Sequence, residues 1–492
     1  MPLADGSPIL AYLRRLGDLP PPAPRREVGW GFAFAVFAAA FAVLAFDAPT
    51  TLADPDTPWH IASGASILAT GRFPTVDEWS WTIPGTPWIA KEWLSQVILA
   101  TAFRLGGWAA VAAVTTATAA LAVALVARET ARRLTLPVAA LLVAAILPLS
   151  INHLFARPHV FAWVPLVIWS IGLLRAAEDT RAPRPILLAA MVIWTNLHGS
   201  FLFGLGLVPI LAVEALLRAE PARRLRLALA WAAFLGAAVV STLLHPYGIG
   251  VWRAAFAVMN LSGLQTLLYE WLPQNFAGFN PVEGVILAAI GLLATTGVRL
   301  PAVRVGLLLL LLHMTIAHIR HTELLGLVGV LVLAEPLAAV GASAGLARAR
   351  TPLALLLAGA VALAGAGASY VVRPYALPAD HTPTAALAAV RSAAVPGEVL
   401  NAIGFGGWLI TEGVKTWSDG RIELFGASWV NLYRDGADLR SIARFDELFS
   451  DPRIGWTLLP PSLPAVALLD RTPGWKRFYA DDVAVVHVRV PR

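Results

Sequence analysis

From residue 28 to residue 372, apolar residues come in long runs separated by short polar breaks. A helix needs about 20 apolar residues to cross roughly 30 Å of hydrocarbon. Runs of that kind fall at 28–47, 107–127, 135–151, 160–175, 185–197, 200–217, 227–244, 283–298, 304–318, 324–343 and 352–372. They predict an all-α polytopic membrane domain of about eleven transmembrane helices. The stretch 92–105 is also apolar, but Trp93 and Arg104 at its ends suit a helix lying on the membrane surface. After residue 372 charges return, and short β-rich runs (Glu398–Ile403, Val483–Val490) alternate with helix-like ones such as 383–394. That pattern predicts a small C-terminal α/β domain. The expected division is an N-terminal segment 1–27, a transmembrane domain 28–372 with a long first loop 48–106, and the α/β domain 373–492.

Charge orients these spans. With a cytoplasmic N-terminus, the segments predicted to face the cytosol hold eighteen basic residues, among them Arg14, Arg15, Arg25, Arg26, Arg128, Arg133, Arg304, Arg348 and Arg350. The opposite loops before residue 373 hold six: Arg72, Lys91, Arg104, Arg157, Arg253 and Arg320. Basic residues concentrate on the cytoplasmic side of membrane proteins, so loop 48–106 and the C-terminal domain are expected on the outer side of a bacterial inner membrane. Counting 92–105 as a span would scramble this bias. No small-residue cleavage site follows a short apolar core near the start, so the first span is expected to act as its own insertion signal.

The whole chain is 58% hydrophobic and 14% charged, against roughly 25% charged in soluble domains. The net charge of +6 sits beside apolar runs, which suits a membrane surface and not nucleic acid. With no cysteine, disulfides, thiolate metal sites and cysteine nucleophiles are excluded.

All ten histidines fall on or near the predicted outer side, a bias that neutral imidazoles do not acquire from topology rules. Polar groups near a bilayer are costly and mark functional pathways. The first loop opens Asp54-Pro55-Asp56-Thr57-Pro58-Trp59-His60. Asp56 before Pro58 suits a helix cap. Alternatively the Asp54 and Asp56 carboxylates take a proton from an acceptor hydroxyl or hold a divalent cation such as Mg or Mn. The loop's tryptophans read as interfacial anchors before sugar platforms. Arg157 and Arg320 are basic residues on the side where few are expected, with His159, His318 and His321 beside them. A fixed guanidinium grips phosphate in a bidentate fashion, so Arg157, His159 and Arg320 are the phosphate candidates. Glu92, His198, His245 and Tyr247 complete the expected polar set. His313 is expected to point into a cavity, since an unpaired imidazole at its depth would be costly.

This arrangement resembles the GT-C superfamily of integral membrane glycosyltransferases, which includes lipid A aminoarabinose transferases, protein mannosyltransferases and oligosaccharyltransferases. Asp54-Pro55-Asp56 stands where those proteins carry an acidic first-loop motif. Glu92–Gly107, followed by a span ending in Arg128–Arg133, is similar to their juxtamembrane helix and second span, and Arg157-Pro158 to their short loop before the fourth. The resemblance implies a sugar donor on a polyprenyl phosphate or pyrophosphate, and an extracytoplasmic lipid, glycan or protein acceptor. It further implies inversion at the anomeric carbon, with Asp54 or Asp56 as base and Arg157 and Arg320 neutralising the departing phosphate. Gly404-Phe405-Gly406-Gly407-Trp408 lies roughly where oligosaccharyltransferases read their acceptor, but the Trp-Trp-Asp pattern is absent. Asp419-Gly420-Arg421 reads as a surface turn in preference to an acceptor contact. Two other functions fit a chain of this kind: a transporter or flippase of lipid-linked glycans, and a glycan ligase. A ligase is expected to depend on a large outer loop with paired arginines and a His, of which segment 245–282 holds only His245 and Arg253.

Overall fold

The computed structural model describes residues 22–259, 269–342 and 351–490. Arg14, Arg15, Arg348 and Arg350, and part of the long segment 245–282, lie outside the described residues. Among those described, seven helices are long and apolar enough to cross a membrane, and four shorter apolar helices (Trp30–Phe46, Leu187–Leu197, Pro281–Thr296, Ala302–Ala317) accompany them. The chain is a multi-pass membrane protein.

The helix Trp93–Ala131 is two helices joined at a kink, where Gly106 and Gly107 leave helical geometry and Gly107 takes φ 59°. Only glycine adopts that conformation without strain. Residues 93–105 therefore form a separate helix before the apolar span, as their flanking residues suggested. The run 135–151 is likewise interrupted, as helices Leu136–Ala144 and Ile146–Ser150. Small residues let helices approach closely where lipid supplies no hydrophobic drive. A Cβ on Gly359 would stand 3.4 Å from that of Ala38, where helix Leu353–Val372 packs on Trp30–Phe46.

Successive helices run back and forth, which sorts their polar ends into two groups. One end of the bundle gathers Glu92, His159, His198 and Arg320. The other gathers Arg133, Glu178, Glu214, Arg304 and Glu335. There Arg304, fully buried, contacts Glu178 and Glu214 at 2.9 Å and Glu335 at 3.0 Å. Arg25 and Arg133 also pair with Glu178. Residues that sequence reading treated as loop anchors thus form a buried network tying helix ends together. Their carboxylate partners come from distant spans, so the pairing has no sequence period.

The C-terminal region holds a four-stranded sheet ordered β1-β2-β4-β3, with β1 Glu398–Asn401, β2 Ile454–Leu458, β3 Trp475–Ala480 and β4 Val485–Arg489. β1 and β2 are parallel, and the other pairs antiparallel. Helices pack around it, including Thr384–Ser392 and Ile403–Thr411. The domain docks on the first loop. Trp81 Nε1–H donates to the Val399 carbonyl at 2.8 Å, and Thr82 Oγ1–H to that of Trp417 at 2.8 Å.

Candidate active site

A cavity of about 880 Å³ lies where the first loop, the helix ends and the C-terminal domain meet. Its lining includes the polar side chains of Asp54, Asp56, His60, Arg157, His198 and Arg320. The lining also includes apolar side chains, Trp163, Leu166, Phe203, Val258, Met314 and Leu324. Ile403, Gly404, Gly420, Ile422 and Glu423 of the C-terminal domain close a further side.

Asp56 is the N-cap residue of helix Thr57–Thr70, but its side chain makes no capping bond. It faces Arg157 instead, 3.2 Å from Nη2. Asp54 Oδ1 accepts the Asp56 backbone N–H at 2.8 Å, and Asp54 Oδ2 lies 3.2 Å from Arg157 Nη1. One guanidinium thus bridges both carboxylates. Burial pushes the Asp56 carboxyl up to about 7; Arg157 opposes that rise and Asp54 adds to it. A carboxylate near neutrality is poised to accept a proton.

Arg157 also meets Glu270 at 3.0 Å, and Arg320 meets the other Glu270 oxygen at 3.1 Å. Arg320 lies 4.5 Å over the Trp271 ring, which fixes its plane. Burial opposes the charged form of Glu270, but Arg157 and Arg320 outweigh it and hold the carboxyl well below its usual range.

The histidines divide by role. The Ser200 backbone N–H donates to His198 Nδ1 at 3.2 Å, leaving the proton on Nε2, 3.5 Å from Glu92. Burial, reinforced by Arg320, keeps His198 well below its usual pKa, and burial with Arg157 does the same for His60. Both are neutral hydrogen-bonding groups. His159 stacks on His153 at 4.2 Å and donates to its carbonyl at 2.8 Å. His318 donates to the Trp271 carbonyl at 2.7 Å, and His321 completes this wall.

Three expected residues lie off the cavity. His245 Nε2–H donates to the Lys91 carbonyl at 3.1 Å, and the Tyr247 hydroxyl donates to Pro74 at 2.6 Å while accepting from the Ala90 N–H at 3.2 Å. Both brace the turn carrying Lys91 and Glu92. His313 is exposed, because its helix turns Met314 and His318 inward, one turn apart.

The Asp419-Gly420-Arg421 turn is buried, contrary to its reading as a surface feature. Arg421 pairs with Asp419 and Asp77, each at 2.7 Å, and all three are almost wholly buried. It thereby clamps the C-terminal domain to the first loop. Its guanidinium lies 4.8 Å over Trp79 and 5.0 Å over Trp88. Trp59, Trp81 and Trp88 are likewise buried between loop and domain, where the docked domain covers them, and so do not anchor in a lipid interface. Gly420 approaches so closely that a Cβ would fall 1.6 Å from Asp56 Oδ1. The same contact region holds Lys91 against Glu423, which with Glu92 keeps the lysine charged despite burial.

Among the described residues, no three His, Asp or Glu side chains converge as a metal ligand set. Between Asp54 and Asp56 the Arg157 guanidinium takes the place that a cation bridging them would need, so the pair as arranged does not fit one. Glu270, Glu323 and Glu423 are cavity carboxylates that sequence reasoning did not put forward. Glu270 offered a faint signal as an isolated acid beside Trp271; the others offered none.

No family model and no curated protein matches this chain. Its fold defines a polytopic membrane protein whose amphipathic cavity is capped by a folded domain, and the chain is similar to solved structures of two membrane glycosyl-transfer proteins. The apo oligosaccharyltransferase of Archaeoglobus fulgidus matches with TM-score 0.49 and 11% identity, over 87% of this chain and 69% of that one. ArnT from Cupriavidus metallidurans bound to undecaprenyl phosphate matches with TM-score 0.48 and 14% identity, over 92% and 97%. At that level of likeness, function has to be argued from the groups in the cavity.

Proposed function

We propose that this protein is an inverting membrane glycosyltransferase that moves a sugar from a polyprenyl-phosphate-linked donor to an extracytoplasmic acceptor. It would sit in a bacterial inner membrane with a cytoplasmic N-terminus, the cavity and residues 373–492 lying outside. The observation that carries this reading is the cavity itself. A carboxyl poised near neutrality, two arginines and a set of apolar side chains share one space, matching an amphipathic ligand with an anionic head and a hydrocarbon tail.

In this reading the lipid chain lies along Trp163, Phe203 and Met314, and the phosphate is gripped from the Arg320 side. The acceptor hydroxyl lies beside Asp56, between the first loop and Gly404. Its oxygen attacks the anomeric carbon while Asp56 takes its proton. The bond from that carbon to the phosphate oxygen breaks, and polyprenyl phosphate leaves with the electron pair. Charge growing on the phosphate is offset by Arg320, fixed in place and partly shielded from water. Asp54 acts as a positioning residue, holding the Asp56 backbone and one arm of Arg157. No step is assigned to a metal ion.

Neither alternative gains from the structure: His245 and Arg253 do not line the cavity, as a ligase reading would need. The buried Arg304 network ties helix ends at the far side, where a flippase would need a second polar opening. The test is transfer of radiolabelled sugar from a polyprenyl phosphate donor in proteoliposomes. Asp56→Asn is expected to lose about 10²- to 10⁴-fold in rate, the usual contribution of a general base. Wild-type transfer by that variant would remove the assignment.

A further inference from the structure

Glu270 makes an unusual set of contacts. Its two oxygens meet Arg157 at 3.0 Å, Arg320 at 3.1 Å and His153 Nε2 at 3.3 Å. Two guanidinium groups and an imidazole arranged around one anion form a seat suited to a tetrahedral oxyanion as well as to a carboxylate. The backbone around Glu270 is pinned: Ile319 N–H donates to the Leu272 carbonyl and Gln274 N–H to the Ile316 carbonyl, each at 3.0 Å. The side chain, by contrast, remains 15% exposed toward the cavity. A rotation of that side chain alone would vacate the seat.

We propose that Glu270 is an internal anion occupying the donor's phosphate seat, and that this exchange selects a lipid monophosphate sugar over a pyrophosphate one. The inference rests on the transferase reading and sharpens its substrate class. A sugar phosphodiester carries one negative charge, so its arrival replaces the Glu270 charge one for one beside Arg157 and Arg320. A pyrophosphate diester brings two charges into a seat already faced by Asp54, Asp56 and Glu323. Glu270 is thus a specificity-determining residue.

The experiment measures equilibrium binding to the full-length protein in detergent, using farnesyl methyl phosphodiester and farnesyl methyl pyrophosphate diester as probes. Glu270→Gln keeps the side chain's size and removes its charge. A seat filled by its own carboxylate nine times in ten would weaken apparent affinity about tenfold. The variant is therefore expected to bind the phosphodiester about tenfold more tightly, and to gain more for the pyrophosphate, narrowing the preference. Arg320→Gln is expected to weaken both probes. Equal or weaker phosphodiester binding by Glu270→Gln, with a wild-type unfolding temperature, would overturn the exchange, as would a wild-type preference for the pyrophosphate. If Glu270→Gln unfolds at lower temperature, Glu270→Asp serves instead: one methylene shorter, it reaches both arginines less well and should still bind the phosphodiester more tightly. Failure of sugar transfer with tighter binding intact would remove the transferase reading and leave the seat standing.

Discussion

If Asp56 is the base, the reaction's pH dependence carries its signature. Only the ionised carboxylate accepts a proton, so the rate must rise with pH through the Asp56 pKa of about 7. For kcat/KM, which reports the free enzyme, the ionised fraction climbs from roughly one in eleven at pH 6 to roughly ten in eleven at pH 8, close to a tenfold rise. An ordinary aspartate, titrating near 3.9, would leave that window flat. The neighbours supply a sharper test because they act in opposite directions: Arg157 lowers the Asp56 pKa and Asp54 raises it. An opposite charge at ion-pair distance is worth about 1–3 pH units. Arg157→Gln should therefore move the acid limb toward higher pH by on the order of one unit or more, and Asp54→Asn should move it toward lower pH. The assay is initial transfer from a labelled donor in proteoliposomes buffered on both faces from pH 5.5 to 8.5, at donor concentrations below KM. A flat profile, an acid limb persisting in the residual activity of Asp56→Asn, or limbs moving the same way in both neighbour variants would refute the assignment.

Gly420→Ala places a methyl group where Asp56 Oδ1 now lies, so Asp56 must shift; transfer is expected to fall on the order of 10²-fold, while fluorescence-detected size exclusion shows a folded protein. Unchanged transfer would mean that Asp56 need not hold its present place. Arg304→Ala removes the one buried cation shared by Glu178, Glu214 and Glu335, leaving Arg25 and Arg133 on the first and Arg218 on the other two. It is expected to cost about 3–5 kcal/mol, read as a lowered thermal unfolding midpoint in detergent; an unchanged midpoint contradicts it. Because Arg157 bridges the acidic pair, EDTA is expected to leave transfer undiminished, and a loss restored by Mg²⁺ or Mn²⁺ would show that a cation takes part.

Much of this was legible in the chain. Spans announce themselves because a lipid-facing helix must be apolar along its whole length, and the separateness of residues 93–105 from the next span because Trp93 and Arg104 bracket that shorter run. Asp54, Asp56, Arg157 and Arg320 stood out because charge near a bilayer is costly without a purpose. Which charges meet was not legible. Arg157 contacts Asp54, Asp56 and Glu270, residues about a hundred positions away on either side, and no periodicity encodes such pairs. Arg421 and Gly420 looked like an ordinary turn, since in a water-soluble domain charged residues and glycines are common on the surface. Only docking of that domain buries them against Asp77 and Asp56. Hydrophobic length and flanking charge, properties of contiguous residues, thus specified a membrane bundle with the candidate site's polar groups at one end. Tertiary packing decided which carboxylate rises toward neutrality and which anion sits between the arginines, because burial and Coulomb interaction depend on distances through space.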